Sequence, residues 1–335
     1  MVGNTASPNA WPTLLTGRTT VPSRTRCLMV MYHYVRPLPD PDLPFFKAMT
    51  PERFQRQIEE LGKEWTFVSL DDYIEGLRGS RDIPSQCCIL TFDDGLRDHY
   101  EFAFPILRRL GVPGAFFVST LPVIEACMLN VHMIQHLVAR LAPQELAGRL
   151  SRAVRAVAPG EADRLLSPDP ATVDRVYAYE AEPPTRWAKY VMNFVLQEAL
   201  QGEVTLRLFR EEFGPERDFA RRFYLSTGQV REMGDNGMTF GSHGHRHLAM
   251  SACDGARKRE ELRQSRRLLE SWLGRPVTSF CFPWGGAHHI DEESEELLAA
   301  EGFRCALTTL DGINEGEVSP FYLRRRDCIR VPEGS

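Results

Sequence analysis

Alternating strand and helix signatures predict an α/β fold: a mainly parallel sheet or barrel with helices outside, interrupted by a helical insertion. Short apolar runs alternate with amphipathic stretches between residues 27 and 118, and the same alternation resumes after residue 225. Between them, from about 120 to 224, apolar residues fall at helical spacing instead.

Residues 1–25 are rich in Thr, Ser, Pro and Gly without an apolar period, which predicts a loosely ordered N-terminal arm. The run 27–35, CLMVMYHYV, reads as a buried strand. Phe54, Ile58 and Leu61 share one helical face over 51–61, with Thr50 as N-cap before Pro51. A short strand at 65–68, a helix over 70–77 and an apolar strand over 87–92 follow, the last ending in Asp93-Asp94-Gly95. A helix over 99–110, closed by Gly111, precedes the strand 115–118.

In the insertion, Leu137, Leu141, Leu146, Leu150, Val154 and Val157 follow helical spacing, and 159–170 reads as a loop. These stripes read as packing surface, and nothing in the insertion has the spacing of a catalytic cluster. The alternation then returns with a helix at 227–233, a strand at 238–241, a helix at 256–273 stopped by Gly274 and Pro276, and strands at 279–282 and 306–308 flanking a helix at 292–301. The expected organisation is therefore one discontinuous domain, 26–119 with 225–330, around an insertion at 120–224.

A chain of 335 residues can bury a sizeable core. Its formal charge of -5 supplies no broad basic field, so nucleic acid is not an expected partner. The eight cysteines are scattered without a C-x-x-C pair, which argues against a metal ribbon or disulfide scaffold and for buried thiols in a reducing compartment. No window reaches the roughly 18 to 20 apolar residues of a membrane helix, and the N-terminus reads as lacking a secretion signal. The expectation is a cytoplasmic protein, with peripheral membrane contact left open.

Two clusters can carry chemistry. Strands of parallel α/β folds present functional groups at their carboxyl ends, where Thr91-Phe92-Asp93-Asp94-Gly95 places two acids. Adjacent carboxylates repel and call for a compensating cation; the same residues also read as an Asp-Gly turn with one Asp capping the next helix. The second cluster, Gly241-Ser242-His243-Gly244-His245-Arg246-His247, again follows a strand. Two imidazoles four residues apart can face one centre, and imidazole nitrogen is a common zinc ligand. One carboxylate and two imidazoles leave coordination positions open for water and substrate, as a catalytic site requires, while the second carboxylate is free to act as a base.

TFDDG at 91–95 and HGHRH at 243–247 resemble the first two motifs of the polysaccharide deacetylase family, also called NodB-homology or carbohydrate esterase family 4. The resemblance covers about 26–119 and 225–327 and implies a distorted (β/α) barrel, often of seven strands. It implies Asp93 as catalytic base and Asp94, His243 and His247 as ligands of a divalent metal, usually zinc; His245 falls on a variable position. Ser279-Phe280-Cys281-Phe282-Pro283-Trp284-Gly285 resembles the third motif, with Phe282, Pro283 and Trp284 as candidate substrate-binding residues. Cys281 stands where the family usually has an arginine that contacts the catalytic Asp. Trp284 suits stacking on a sugar face or simple packing.

The family's late acid histidine has no counterpart in 321–330. Met31-Tyr32-His33-Tyr34-Val35 resembles instead the first strand of the poly-N-acetylglucosamine deacetylase branch, making His33 the candidate general acid, with a buried structural histidine as the other reading. The implied activity is metal-dependent removal of an N-acetyl group from an aminosugar or polysaccharide intermediate. A deformylase or O-deacetylase acting on a lipid- or nucleotide-linked sugar, and a non-catalytic glycan-binding protein, are the competing expectations.

Overall fold

The computed structural model describes residues 19–20 and 25–332. Its main path is β1 (Arg26–Tyr32), β2 (Gln86–Phe92), β3 (Gly114–Val118), β4 (Thr239–Ser242), β5 (Ser279–Cys281), β6 (Cys305–Leu307) and β7 (Arg326–Asp327), in spatial order β7-β1-β2-β3-β4-β5-β6. Every neighbouring pair on this path is parallel. Leu307 in β6 also bridges Leu323, just before β7, in parallel. The segment 323–327 thus touches both edges of the curled sheet, giving a distorted barrel with helices outside.

Both faces of the strands are buried, so successive residues serve different cores. Leu28, Val30 and Tyr32 of β1, and Cys88, Leu90 and Phe92 of β2, face one core beneath the outer helices. Cys27, Met29, Cys87 and Ile89 face the other, on the inside of the curl, with Cys281 and Cys305. All eight cysteines are free. One row of rings crosses four strands in register: Tyr32 beside Phe92, Phe92 beside Phe116 and Phe116 beside Phe240. Their centroids are 5.2, 4.5 and 5.6 Å apart, and each pair is stacked.

The helices begin and end where local chemistry dictates. Helix α1 (Pro51–Leu61) starts on the Thr50 hydroxyl, which accepts the Arg53 N–H, and α2 (Leu70–Leu77) on Ser69. Helix α3 (Phe104–Leu110) is closed by Gly111 at φ 67°. The helix expected over 99–110 is not uniform: its first turn, His99–Ala103, is π-helical, and buried His99 there reaches the His33 carbonyl at 2.6 Å.

The chain from 120 to 223 is helical, with α4 (Asn130–Arg140), α5 (Pro143–Val157) and α6 (Glu198–Phe213) packing around Leu137, Leu150, Val154, Val191 and Leu208. The expected loop at 159–170 contains the helical turn Ala162–Leu165, whose two end residues are buried in this core. Tyr224 returns the chain to the sheet, and Leu96 bridges it. Helix α7 (Thr227–Asp235) carries a full capping box from Ser226 and Gln229, and α8 (Gly255–Leu273) ends on Gly274 at φ 67°. Helix α9 (Glu292–Ala300) precedes β6.

Of the arm expected over 1–25, residues 1–18 and 21–24 lie outside the described residues; Thr19–Thr20 pair with Glu317–Val318. Among the described residues no helix is long and apolar enough to cross a membrane.

Phe116 is fully buried and touches both ring neighbours in the row. Phe116→Ala is expected to destabilise the protein by about 3–5 kcal/mol, as cavities left by large core rings do. Urea unfolding measures this; a loss below about 1 kcal/mol would remove the row from a central place in the core.

Candidate active site

The acid pair stands where β2 leaves the sheet. Asp93 still donates its N–H to the Tyr32 carbonyl at 3.0 Å, after which Asp94 at φ 76° and Gly95 at φ 68° turn the chain away. A Cβ on Gly95 would lie 2.8 Å from a methyl of Val118, so glycine is required for space as well as for conformation. Three of the four non-glycine residues with positive φ among the described residues are Asp94, His247 and Trp284, all at this site. Backbone held in sparsely populated regions clusters at functional sites because the surroundings must enforce it.

Asp93 is 1% exposed and meets Arg325 end to end: Nη1 donates to Oδ1 and Nη2 to Oδ2, each at 2.7 Å. Arg325, also 1% exposed, is fixed by donating from Nε to the Thr308 carbonyl at 2.8 Å and from Nη1 to the Thr91 hydroxyl at 3.2 Å. Burial alone would raise the Asp93 carboxyl, but the guanidinium outweighs it and holds the group down at about 2. The cation that the sequence demanded, and that Cys281 cannot supply, comes from the C-terminal segment. The Cys281 thiol lies 3.6 Å from Asp93 Oδ1.

The histidine turn is held from below. Buried Glu261 on α8 accepts the backbone N–H groups of His245 and Arg246 at 2.8 and 2.7 Å and the Arg246 guanidinium at 3.1 Å. His243 Nδ1 lies 2.8 Å from the Cys281 carbonyl, which leaves Nε2 for the site. His245 points elsewhere, its Nδ1 2.8 Å from the Thr120 hydroxyl.

The Nε2 atoms of His243 and His247 each lie 3.4 Å from Asp94 Oδ1. Ligand atoms about 2.0–2.2 Å from a tetrahedral zinc are themselves roughly 3.4 Å apart, so this donor set fits such an ion. Asp93, His243 and Cys281 form a second cluster of suitable atoms, but both Asp93 oxygens are already engaged by Arg325. Burial would raise Asp94, yet His132, then His243 and His247, hold it well below the usual carboxylate range. Burial pushes His247 down toward the neutral imidazole that metals bind.

The remaining expected residues are divided. His33 follows β1 with a side chain 38% exposed and Nε2 3.9 Å from Asp93 Oδ2, on the open side of the site. Trp284 is partly exposed, its ring 5.8 Å from that of His247. Pro283 is buried beside Gly244. The Phe282 ring is 1% exposed and packs against Phe280 and Tyr322, so the substrate contact expected of that side chain falls away: the strand's alternation turns it into the core.

Sequence reasoning missed two residues. Arg325 lies in an Arg-Arg-Arg run whose neighbours Arg324 and Arg326 are not so placed, and only the need for a cation beside two acids pointed to it. His132 opens an H-x-x-x-H with His136 in the insertion, a spacing that the reading of the insertion as packing surface passed over, and its Nε2 lies 3.0 Å from Asp94 Oδ2.

A family model described as polysaccharide deacetylase matches residues 201–306. YxkH, a provisionally named polysaccharide deacetylase of Bacillus subtilis (strain 168), is 22% identical over 118 residues, which are 35% of this chain and 40% of its own, so the match spans under half of that relative. Among solved structures, the Streptococcus pyogenes deacetylase PplD in complex with acetate has a TM-score of 0.57 at 14% identity, covering 91% of this chain and 92% of its own. IcaB from Ammonifex degensii has a TM-score of 0.53 at 17% identity over 90% and 91%. The BpsB deacetylase domain from Bordetella bronchiseptica has 0.53 at 18% over 90% and 95%. At these identities the structural likeness is one of fold. The family match takes in the histidine turn and the Cys-Phe-Pro-Trp-Gly strand end, so that the stretch 201–306 is similar to a polysaccharide deacetylase domain, and the whole chain shares the fold of these solved deacetylases.

Proposed function

We propose that the chain is a metal-dependent hydrolase that removes the N-acetyl group from an aminosugar or a polysaccharide intermediate, releasing acetate and the free amine. One observation carries the reading: a carboxylate and two imidazoles at metal-ligand spacing stand directly beside a second carboxylate held ionised by a buried arginine. The discontinuous α/β part, 26–119 with 225–330, is the catalytic domain in this reading, and 120–224 is inserted in it. The eight free cysteines support a reducing, cytoplasmic setting.

Asp94, His243 and His247 would hold a divalent cation, zinc by the chemistry of these donors, which would supply Lewis acidity to the amide carbonyl and acidify water. Asp93 accepts the proton of the attacking water. Arg325 keeps that carboxylate charged and aimed, at the expense of basicity. A backbone amide near Trp284 stabilises the developing oxyanion, and the Trp284 ring offers an apolar wall to the sugar. His33 reaches the open side of Asp93 and gives the departing nitrogen its proton.

Three outcomes are expected. Asp94→Ala, His243→Ala and His247→Ala each lower bound zinc and acetate release together, whereas Asp93→Asn keeps its zinc and loses about 10²- to 10⁴-fold in kcat. Full zinc content in all three alanine variants, by emission spectrometry, would dissolve the ligand assignment; formate in place of acetate would revise the acyl group.

His33→Ala keeps its metal, loses kcat far more than substrate affinity, and loses the alkaline limb of the pH profile. A substrate whose amine leaves more easily suffers less. Equal losses on good and poor leaving groups would return His33 to a structural role.

Arg325→Met breaks a buried pair and costs about 3–5 kcal/mol of stability at pH 7. Asp93 sits at about 2 in the folded protein, below the roughly 3.9 of an unfolded aspartate, so the stability it lends is complete above the unfolded value and lost as pH falls through about 2. Without the guanidinium, burial raises Asp93, the variant takes up a proton on acidification, and its deficit shrinks. Urea unfolding at pH 7 and pH 4 measures this; an unchanged deficit would contradict the pairing.

A further inference from the structure

The insertion reaches the candidate metal centre through a short relay. His132 on α4 is fully buried, with Nε2 3.0 Å from Asp94 Oδ2 and Nδ1 2.6 Å from the hydroxyl of Tyr224, where the insertion ends. That hydroxyl accepts the Leu129 N–H at 3.1 Å, leaving its single proton for His132 Nδ1. With Nδ1 accepting from Tyr224, Nε2 is the nitrogen that donates to Asp94. Packing fixes the ring as well: Phe223 and Tyr224 lie 5.2 and 5.4 Å away between centroids.

The two oxygens of Asp94 are thereby divided. Oδ1 faces His243 and His247, and Oδ2 faces His132. We propose that His132, oriented by Tyr224, is a positioning residue that fixes Asp94 as a one-oxygen ligand and so raises the affinity of the centre for its metal. This rests on the metal reading of Asp94, His243 and His247. Asp94 is held at φ 76°, where an aspartate is not at rest, and a tether on its outer oxygen keeps the carboxylate directed at the two imidazoles. Ligating carboxylates are commonly supported by such partners, whose loss typically weakens metal binding 10- to 100-fold.

The test is zinc titration of the full-length apoprotein against a chelating dye. His132→Ala is expected to bind zinc about 10- to 100-fold more weakly with its circular dichroism unchanged. His132→Gln, whose amide nitrogen can reach Oδ2, recovers part of the loss, and Tyr224→Phe loses less than His132→Ala. With saturating cobalt(II), His132→Ala keeps the wild-type visible spectrum; a changed spectrum would make His132 a ligand itself and overturn the positioning role. His243→Ala separates the two levels of inference: if it binds zinc as the wild type does, the ligand assignment fails first. If His243→Ala is impaired but His132→Ala is not, the His132 role alone is overturned. Should His132→Ala not fold, wild-type affinity in folded Tyr224→Phe overturns it instead.

Discussion

A carboxylate buried this deeply is tolerated only with a partner, and the Asp93–Arg325 pair sets the terms for the whole rim. Two hydrogen bonds at 2.7 Å make the guanidinium the counter-charge of the buried carboxylate at the end of β2. Arg325 belongs to the segment that touches both β6 and β1, so closing the sheet and neutralising the acid are one event. The same contact keeps Asp93 ionised, which frees Asp94 to face the histidines without two like charges competing for one site.

The pair also accounts for a cysteine, and not a cation, at position 281 beside Asp93. Cys281 is small and apolar, and it leaves the space beside Asp93 to a side chain arriving from another strand. A guanidinium acts through its fork geometry, whichever backbone carries it.

The sheet was legible because each buried strand is a short apolar run ending in turn chemistry: the strand 87–92 read almost to the residue, as did the helix 70–77, and the cap at Thr50 is a local signal. The acid pair and the H-x-x-x-H turn were legible for the same reason, since their spacing is local. Arg325 and His132 were not, because they act across 232 and 38 residues of chain and each is defined only by what the fold brings to it. The π-turn at His99–Ala103 was equally hidden: helical spacing in sequence does not distinguish it from an α-turn, and the contact His99 makes there is to the carbonyl of His33, distant in sequence. Phe282 shows the opposite error, where a motif's neighbourhood suggested a contact that strand alternation denies.

The row of rings from Tyr32 to Phe240 lies one residue below His33 and Asp93. Stacked apolar surface is indifferent to ionic strength and to proton or cation uptake nearby. In the proposed reading, the scaffold holds its strands level while the charges above it change, so that arrival or departure of a cation leaves the height of Asp93 and Asp94 alone. The rim's charge and the alignment beneath it thus rest on different kinds of contact, with His99, packed on Phe92 and Phe116 and 2.6 Å from the His33 carbonyl, as a polar link between them.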